Sequence, residues 1–352
     1  MSAVTTALKS ALALGLSWGL ASPGWAAPSK SATPSAKSST KPTTKRKPPV
    51  PRKEAVAKAI ASGQGLAISK LSPAEVLAAA PADAWRTPAA ENVVQMEVQL
   101  ATGAQPILFE LAPRFAPQHA ANIRALVREG YFDGLAILRV QDNFVTQWGD
   151  AAEGSEARAL PASAQAKLPA EFSAALLPLP FTPLSETDGW AETNGFVDGF
   201  PVAADRAKNK AWIAHCYGVI GAGRGNEADS SNGSSLYAVI GHSPRTLDLN
   251  ITVVGRVLKG IEHLAALPRG ASAMGFYGGG ESRPPLLRAR LLADIPETER
   301  PTVKVLRDDT PTWTEWVAAR RHRTGWFVHN PGRVDLCSTQ APVRIQTPGQ
   351  PG

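Results

Sequence analysis

The chain has 352 residues, with 37 Lys and Arg against 30 Asp and Glu, a formal charge of +7 that as a whole suggests a nucleic-acid or membrane binder. All of that surplus sits in residues 1–53, which hold Lys9, Lys30, Lys37, Lys41, Lys45, Arg46, Lys47, Arg52 and Lys53 and no acid, so the remainder carries a slight acidic excess. This excludes a basic nucleic-acid-binding body, while 43% hydrophobic residues exclude a largely unfolded chain and 30 Gly with 30 Pro argue against a helical bundle.

Residues 1–26 read as a cleavable secretory signal: a charge at Lys9, an apolar run from Ala11 to Leu20, and small residues at Gly24-Trp25-Ala26 that place the cut after Ala26. The run is shorter than the roughly 20 apolar residues of a membrane span, so a periplasmic or secreted product is expected. In such a compartment Cys216 and Cys337 either form one disulfide or remain two buried thiols. Residues 27–53, made of Ala, Pro, Ser, Thr, Lys and Arg with little else, form a basic disordered linker. It is either a solvated spacer or a weak contact to an anionic envelope surface. Residues 54–90 form a short helical N-terminal segment, with Ser72 capping a helix that has Pro73 in its first turn.

From residue 92 the period changes to two. Val94-Gln95-Met96-Glu97-Val98-Gln99-Leu100 alternates as a half-buried antiparallel strand, and a turn through Thr102-Gly103 leads to a second strand, Ile107 to Leu111. Pro117 opens a helix with Ala120, Ile123 and Val127 on one face, and Gly130 supplies its left-handed stop. Strands are expected at 136–140, 144–148, 218–222, 236–240, 251–257 and 288–293, with a second helix near 260–267. Many short strands and two helices predict a mainly β fold, a closed barrel with helices over its ends.

The run Phe115-Ala116-Pro117, Asn122-Ile123, Leu126-Val127, Gly130-Tyr131-Phe132-Asp133-Gly134-Leu135, Leu138-Arg139-Val140, Asn143-Phe144-Val145 and Gln147-Trp148-Gly149-Asp150 resembles the core of cyclophilin-type peptidyl-prolyl isomerases. Asn232-Gly233-Ser234-Ser235-Leu236-Tyr237 and the segment Leu247-Asp248, Val253-Val254-Gly255-Arg256-Val257 and Gly260 extend the resemblance, which covers about residues 91–293 with an insertion. It implies an eight-stranded antiparallel barrel capped by two helices, acting on proline-containing segments. The amide barrier of roughly 18 to 20 kcal/mol falls without nucleophile, metal or cofactor if an apolar pocket holds the proline and a fixed donor meets the twisting nitrogen. The resemblance makes Arg139 that donor, Phe144 the pocket floor and Gln147 the partner of the substrate backbone. Val145, Ser235, Tyr237 and Leu247 are the implied substrate-binding residues. Strict alternation puts Phe144 and Gln147 on opposite faces, so this reading requires a bulge or strand end near Thr146.

Several positions depart from the family pattern. Leu138 replaces a His, Ser235 a Gln, Tyr237 a Phe, Thr246 a Trp, Ile251 a His and Trp148 a Gly. Many cyclophilins hold cyclosporin with the Trp replaced here by Thr246, so weak or absent cyclosporin binding is expected. The insertion at about 177–210 is loop-rich, and its Phe181, Trp190, Phe196 and Phe200 either form a substrate flap or pack on the body. Gly221-Ala222-Gly223-Arg224-Gly225 lacks the helix a dinucleotide fingerprint needs, and the six His show no metal-ligand spacing. In the C-terminal extension, 294–352, Thr310-Pro311 opens a helix with Trp313, Trp316 and Val317 on one face, ended by Gly325, expected to pack its two Trp on the barrel. Two functions stand: an isomerase assisting the folding of exported proteins, and a binding module that docks a proline segment without turnover.

Overall fold

The computed structural model describes residues 71–348 apart from 153 and 324; the expected signal, basic linker and residues 54–70 of the N-terminal segment lie outside the described residues. The described chain opens with helix α1 (Pro73–Ala79), where Ser72 and Glu75 form a capping box. Strand β1 (Trp85–Arg86) leads into the hairpin β2 (Val93–Leu100) and β3 (Gly103–Leu111). Helix α2 (Pro117–Arg128) starts at Pro117. It stops where Gly130, at φ 66°, lets Tyr131 N–H reach the Leu126 carbonyl and Gly130 N–H the Val127 carbonyl. The chain continues through β4 (Ala136–Val140) and β5 (Val145–Gly149).

The insertion is not loop-rich. It contains β6 (Ala174–Ala175), β7 (Thr182–Pro183), β8 (Thr193–Val197), β9 (Phe200–Asp205) and β10 (Lys210–Ile213), joined as one antiparallel sheet in the order β6-β10-β9-β8-β7. The period-two rule misses it because β8 and β9 are buried on both faces and carry Gly195 and Pro201 within the run.

Then follow β11 (Val219–Ala222), β12 (Leu236–Val239), β13 (Val253–Lys259), helix α3 (Ile261–Ala265), β14 (Leu286–Leu291), β15 (Thr302–Leu306), helix α4 (Pro311–Arg321) and β16 (Val343–Gln346). Eight strands make the barrel, in the order β14-β2-β3-β13-β11-β12-β5-β4. Its seam is bridged where Ile137 N–H donates to the Pro284 carbonyl and Leu286 N–H to the Leu135 carbonyl. Inside lie Met96, Phe109, Ile137, Trp148, Ile220 and Leu236, closed at the ends by Ile123 and Leu126 of α2 and Leu264 of α3. Thr146 points inward too, donating its hydroxyl to the Leu264 carbonyl.

A second core forms between the outside of the barrel, the insertion sheet, α1 and α4. Trp313 and Trp316 are buried there, and Trp313 meets Phe196 edge-on at 4.7 Å, so α4 packs its Trp pair on the insertion sheet. Thr310 caps α4 through the Trp313 N–H, and the helix ends at Arg321, before Gly325. A three-stranded sheet, β1-β15-β16, and the Cys216–Cys337 disulfide fasten the C-terminal extension to this core.

Candidate active site

On the outer face of the barrel β4, β5 and β12 run side by side. Arg139 lies opposite Gln147, and Gln147 opposite Tyr237, so the three side chains share one row. In the next row Val145 lies opposite Val239. Val145, Tyr237 and Val239 are buried together, with half-buried Phe144 and Ile251 packed on them. The result is a small apolar seat beside a cation.

The strand end that alternation calls for lies one residue before Thr146, and a bulge in the neighbouring strand completes the geometry. Strand β5 begins at Val145, and Phe144 precedes it in a turn where Asn143 has φ 50°. The register shift lies in the neighbouring strand, between Ile137 and Arg139. Leu138 is the extra residue: Ile137 and Val140 enter the barrel core, Leu138 does not, and Arg139 is left on the groove face.

The Arg139 guanidinium is fixed between two rings, 5.4 Å from the Phe144 centroid and 5.3 Å from that of Phe276. Its Nε donates to the Met274 carbonyl at 2.6 Å and one Nη2 proton goes to Gln141 Oε1, so Nη1 alone has no partner among the described residues. Partial burial draws its pKa below the usual arginine range, and a guanidinium remains a cation in proteins. Gln147 Nε2 donates to Ser235 Oγ at 3.0 Å, and the Ser235 hydroxyl reaches the Trp148 carbonyl at 3.4 Å. This leaves Gln147 Oε1 as an open acceptor among the described residues. Gly223 permits the approach, since a Cβ there would stand 3.2 Å from Gln147 Nε2 and 3.1 Å from Ser235 Oγ.

Tyr237 and Trp148 leave the groove open. Trp148 is inside the barrel, 6.3 Å from Phe109. The Tyr237 ring lies against Gly221, where any Cβ would come within 2.3 Å of its hydroxyl end. That hydroxyl meets His215 Nε2 at 3.0 Å, His215 Nδ1 meets Asp248 Oδ1 at 2.9 Å, and Asp248 Oδ2 accepts from Trp212 Nε1 at 3.0 Å and Arg245 Nε at 2.6 Å. Arg245 in turn binds Asp188. With Nδ1–H given to the carboxylate, Nε2 accepts the tyrosine proton. Burial pushes the Tyr237 hydroxyl pKa far up, so it stays protonated. Burial also raises the Asp248 pKa, but hydrogen bonds from His215 and the Arg245 charge outweigh it and hold the carboxyl below its ordinary range.

Leu247 is half-buried in the turn Arg245–Leu247 and does not join the apolar cluster, where Ile251 and Val239 stand instead. The sequence reading also missed Met274 and Phe276, on a loop remote in sequence from Arg139, and His215, which carries no motif. Three large side chains, Met274, Phe276 and Tyr277, in the otherwise small-residue run 270–280 were the available signal for the loop. Among the described residues no group of His, Cys, Asp and Glu is placed to hold a metal ion. A separate cavity of about 390 Å³ is lined by Arg86, Glu110, Arg114, Asp198 and Phe200, but its charges are already matched as Arg86–Glu110 and Arg114–Asp198 pairs.

Comparison with known proteins shows the family of the chain. Residues 94–283 match the family model described as cyclophilin-type peptidyl-prolyl cis-trans isomerase. A cyclophilin crystal structure from Hirschia baltica superposes with a TM-score of 0.62 at 26% identity, covering 76% of this chain and 95% of that one. A Brucella suis protein described as a "probable peptidyl-prolyl cis-trans isomerase" is 27% identical over 195 residues, 53% of this chain and 78% of that protein. A peptidyl-prolyl cis-trans isomerase of Schizosaccharomyces pombe is 43% identical over 53 residues, 15% of this chain and 34% of its own length.

Proposed function

The chain belongs to the cyclophilin-type peptidyl-prolyl cis-trans isomerase family and is an isomerase, and we propose that Arg139 Nη1 supplies its electrostatic step while the cluster around Phe144 seats the proline ring. As the C–N bond twists, the imide nitrogen loses resonance, becomes pyramidal and gains a basic lone pair. A donor already in place there stabilises the twisted state more than the planar one and lowers the barrier without covalent chemistry. The observation that carries this reading is the single unpartnered Nη1 of a guanidinium held between Phe144 and Phe276 at the edge of the apolar seat. Gln147 Oε1 accepts a substrate backbone N–H in the same row.

Substrates on this reading are proline-containing segments of exported proteins, met in a periplasmic or extracellular space. The signal-like sequence of residues 1–26 supports that setting, as does a disulfide of the kind that persists in oxidising compartments. A second reading, docking of a proline segment without turnover, is favoured by one observation, the engagement of Gln147 Nε2 by Ser235. Steady-state kinetics on an Ala-Pro peptide distinguishes the two. Arg139→Ala should lower kcat with little change in KM, and Phe144→Ala should raise KM; equal kcat for wild type and Arg139→Ala would remove the proposed role. Cell fractionation tests the setting, which is refuted if the full-length, uncut chain is found in the cytosol.

A further inference from the structure

We propose that the loop after α4, with Trp326, Phe327 and Val328 at its tip, docks the protein on a lipid bilayer surface that carries anionic headgroups. Single exposed apolar residues are ordinary on protein surfaces, but here three adjacent ones are exposed at 87%, 40% and 102%. Trp326 and Phe327 meet edge-to-face at 5.5 Å, so the tip presents two aromatic rings with an aliphatic side chain beside them. Aromatic rings of this kind settle at headgroup depth, with the ring in the acyl boundary and any polar edge in water.

The sequence that carries the tip is rich in cations. From Arg320 to Val334 the sequence holds Arg320, Arg321, His322, Arg323, His329 and Arg333 and no acid. Arg321 is matched by Glu186, but Arg320, Arg323 and Arg333 have no carboxylate partner among the described residues. Arg323 lies 5.0 Å from the Phe327 ring, which places a cation directly behind the apolar tip. Two carboxylates stand beside these cations, Glu186 paired with Arg321 and Asp335, which accepts the Ser338 N–H and keeps its charge, so four arginines face two acids. Through the Arg321–Glu186 pair this end of α4 is also tied to the segment that carries Trp190, itself 55% exposed.

An apolar tip backed by cations complements a headgroup layer that is negative outside and apolar within. Among the described residues no helix is long and apolar enough to cross a membrane, so the contact is interfacial.

Co-sedimentation of the full chain with vesicles of phosphatidylcholine, and with vesicles of phosphatidylcholine and phosphatidylglycerol, tests the proposal. Binding to the anionic vesicles alone is expected, weakening as salt is raised. The W326S/F327S variant should lose at least about tenfold in partition, and R323Q/R333Q should lose binding together with part of the salt dependence, while both keep wild-type isomerase activity as proof of folding. A variant with the bases of residues 30–53 replaced by Gln should retain binding. No sedimentation of the wild type with either vesicle, which would point to a protein as the occupant, overturns the proposal, as does equal binding by W326S/F327S.

Discussion

Replacing the family's pocket phenylalanine by Tyr237 adds a hydroxyl that a buried site has to satisfy, and His215 satisfies it at 3.0 Å. The hydroxyl points away from the groove, so its loss should affect stability more than turnover. Tyr237→Phe should lower unfolding free energy by about 1–3 kcal/mol, because His215 Nε2 loses the donor it has among the described residues, and should leave kcat/KM within a few-fold of wild type. Denaturant titration beside peptide kinetics checks this; a large kcat loss with unchanged stability would mean that the hydroxyl acts on substrate. Thr246 is exposed in the turn Arg245–Leu247 and offers no indole, so cyclosporin should bind weakly if at all, and sub-micromolar affinity in calorimetry would contradict that placement. At this scale Arg139, Phe144 and Gln147 were legible because one local motif carries them, and Tyr237 because a second one, Asn232 to Tyr237, does. His215 and Phe276 were not, since they reach the site from segments far away in sequence and no short-range pattern records a tertiary hydrogen bond or a stacked ring.

Helix α2 illustrates how an element depends on a distant residue. Ala116 at its N-cap has no side-chain oxygen, and Glu171 supplies the acceptor: Oε1 takes the Gln118 N–H at 3.0 Å, and Oε2 takes the His119 N–H at 2.9 Å and meets His119 Nδ1 at 2.7 Å. Burial raises the Glu171 pKa, but these bonds outweigh it and hold the carboxyl below its ordinary 4.5. A depressed folded-state pKa gives stability that is present above the unfolded value and is lost as pH falls through the folded one. Glu171→Gln should therefore cost about 1 kcal/mol near neutral pH, with the difference from wild type shrinking below pH 4.5. Thermal melts across that range test it, and a gap that widens in acid would contradict it. The Pro117 start and Gly130 stop of α2 were readable because they are local rules. Its cap was not, and neither was the insertion sheet, whose strands β6 and β7 have two residues each and whose longer strands lack alternation.

The described residues pack mainly into two large cores, one inside the barrel and one between the barrel's outer face, the insertion sheet and α4. Cys216 belongs to the second and Cys337 packs against it, across a sequence separation of 121 residues. Cys216→Ala with Cys337→Ala should lower stability by about 2–5 kcal/mol, and hydrogen exchange should show protection lost first in β15, β16 and α4 while β2 and β3 stay protected. Uniform loss across both cores would show that they unfold as one unit. The barrel was legible from alternation and resemblance together. The second core was not, because its strands come from an insertion and an extension that lie outside the motifs carrying the resemblance. Barrel register, the bulge at Leu138 and the loop at Met274–Phe276 together hold one guanidinium beside an apolar seat. The direct test is the cis/trans exchange rate of a short Ala-Pro peptide, measured by NMR with catalytic amounts of wild type and of Arg139→Ala. The account predicts acceleration by the wild type and a loss of roughly 100-fold or more in the variant; equal rates for the two proteins would contradict it.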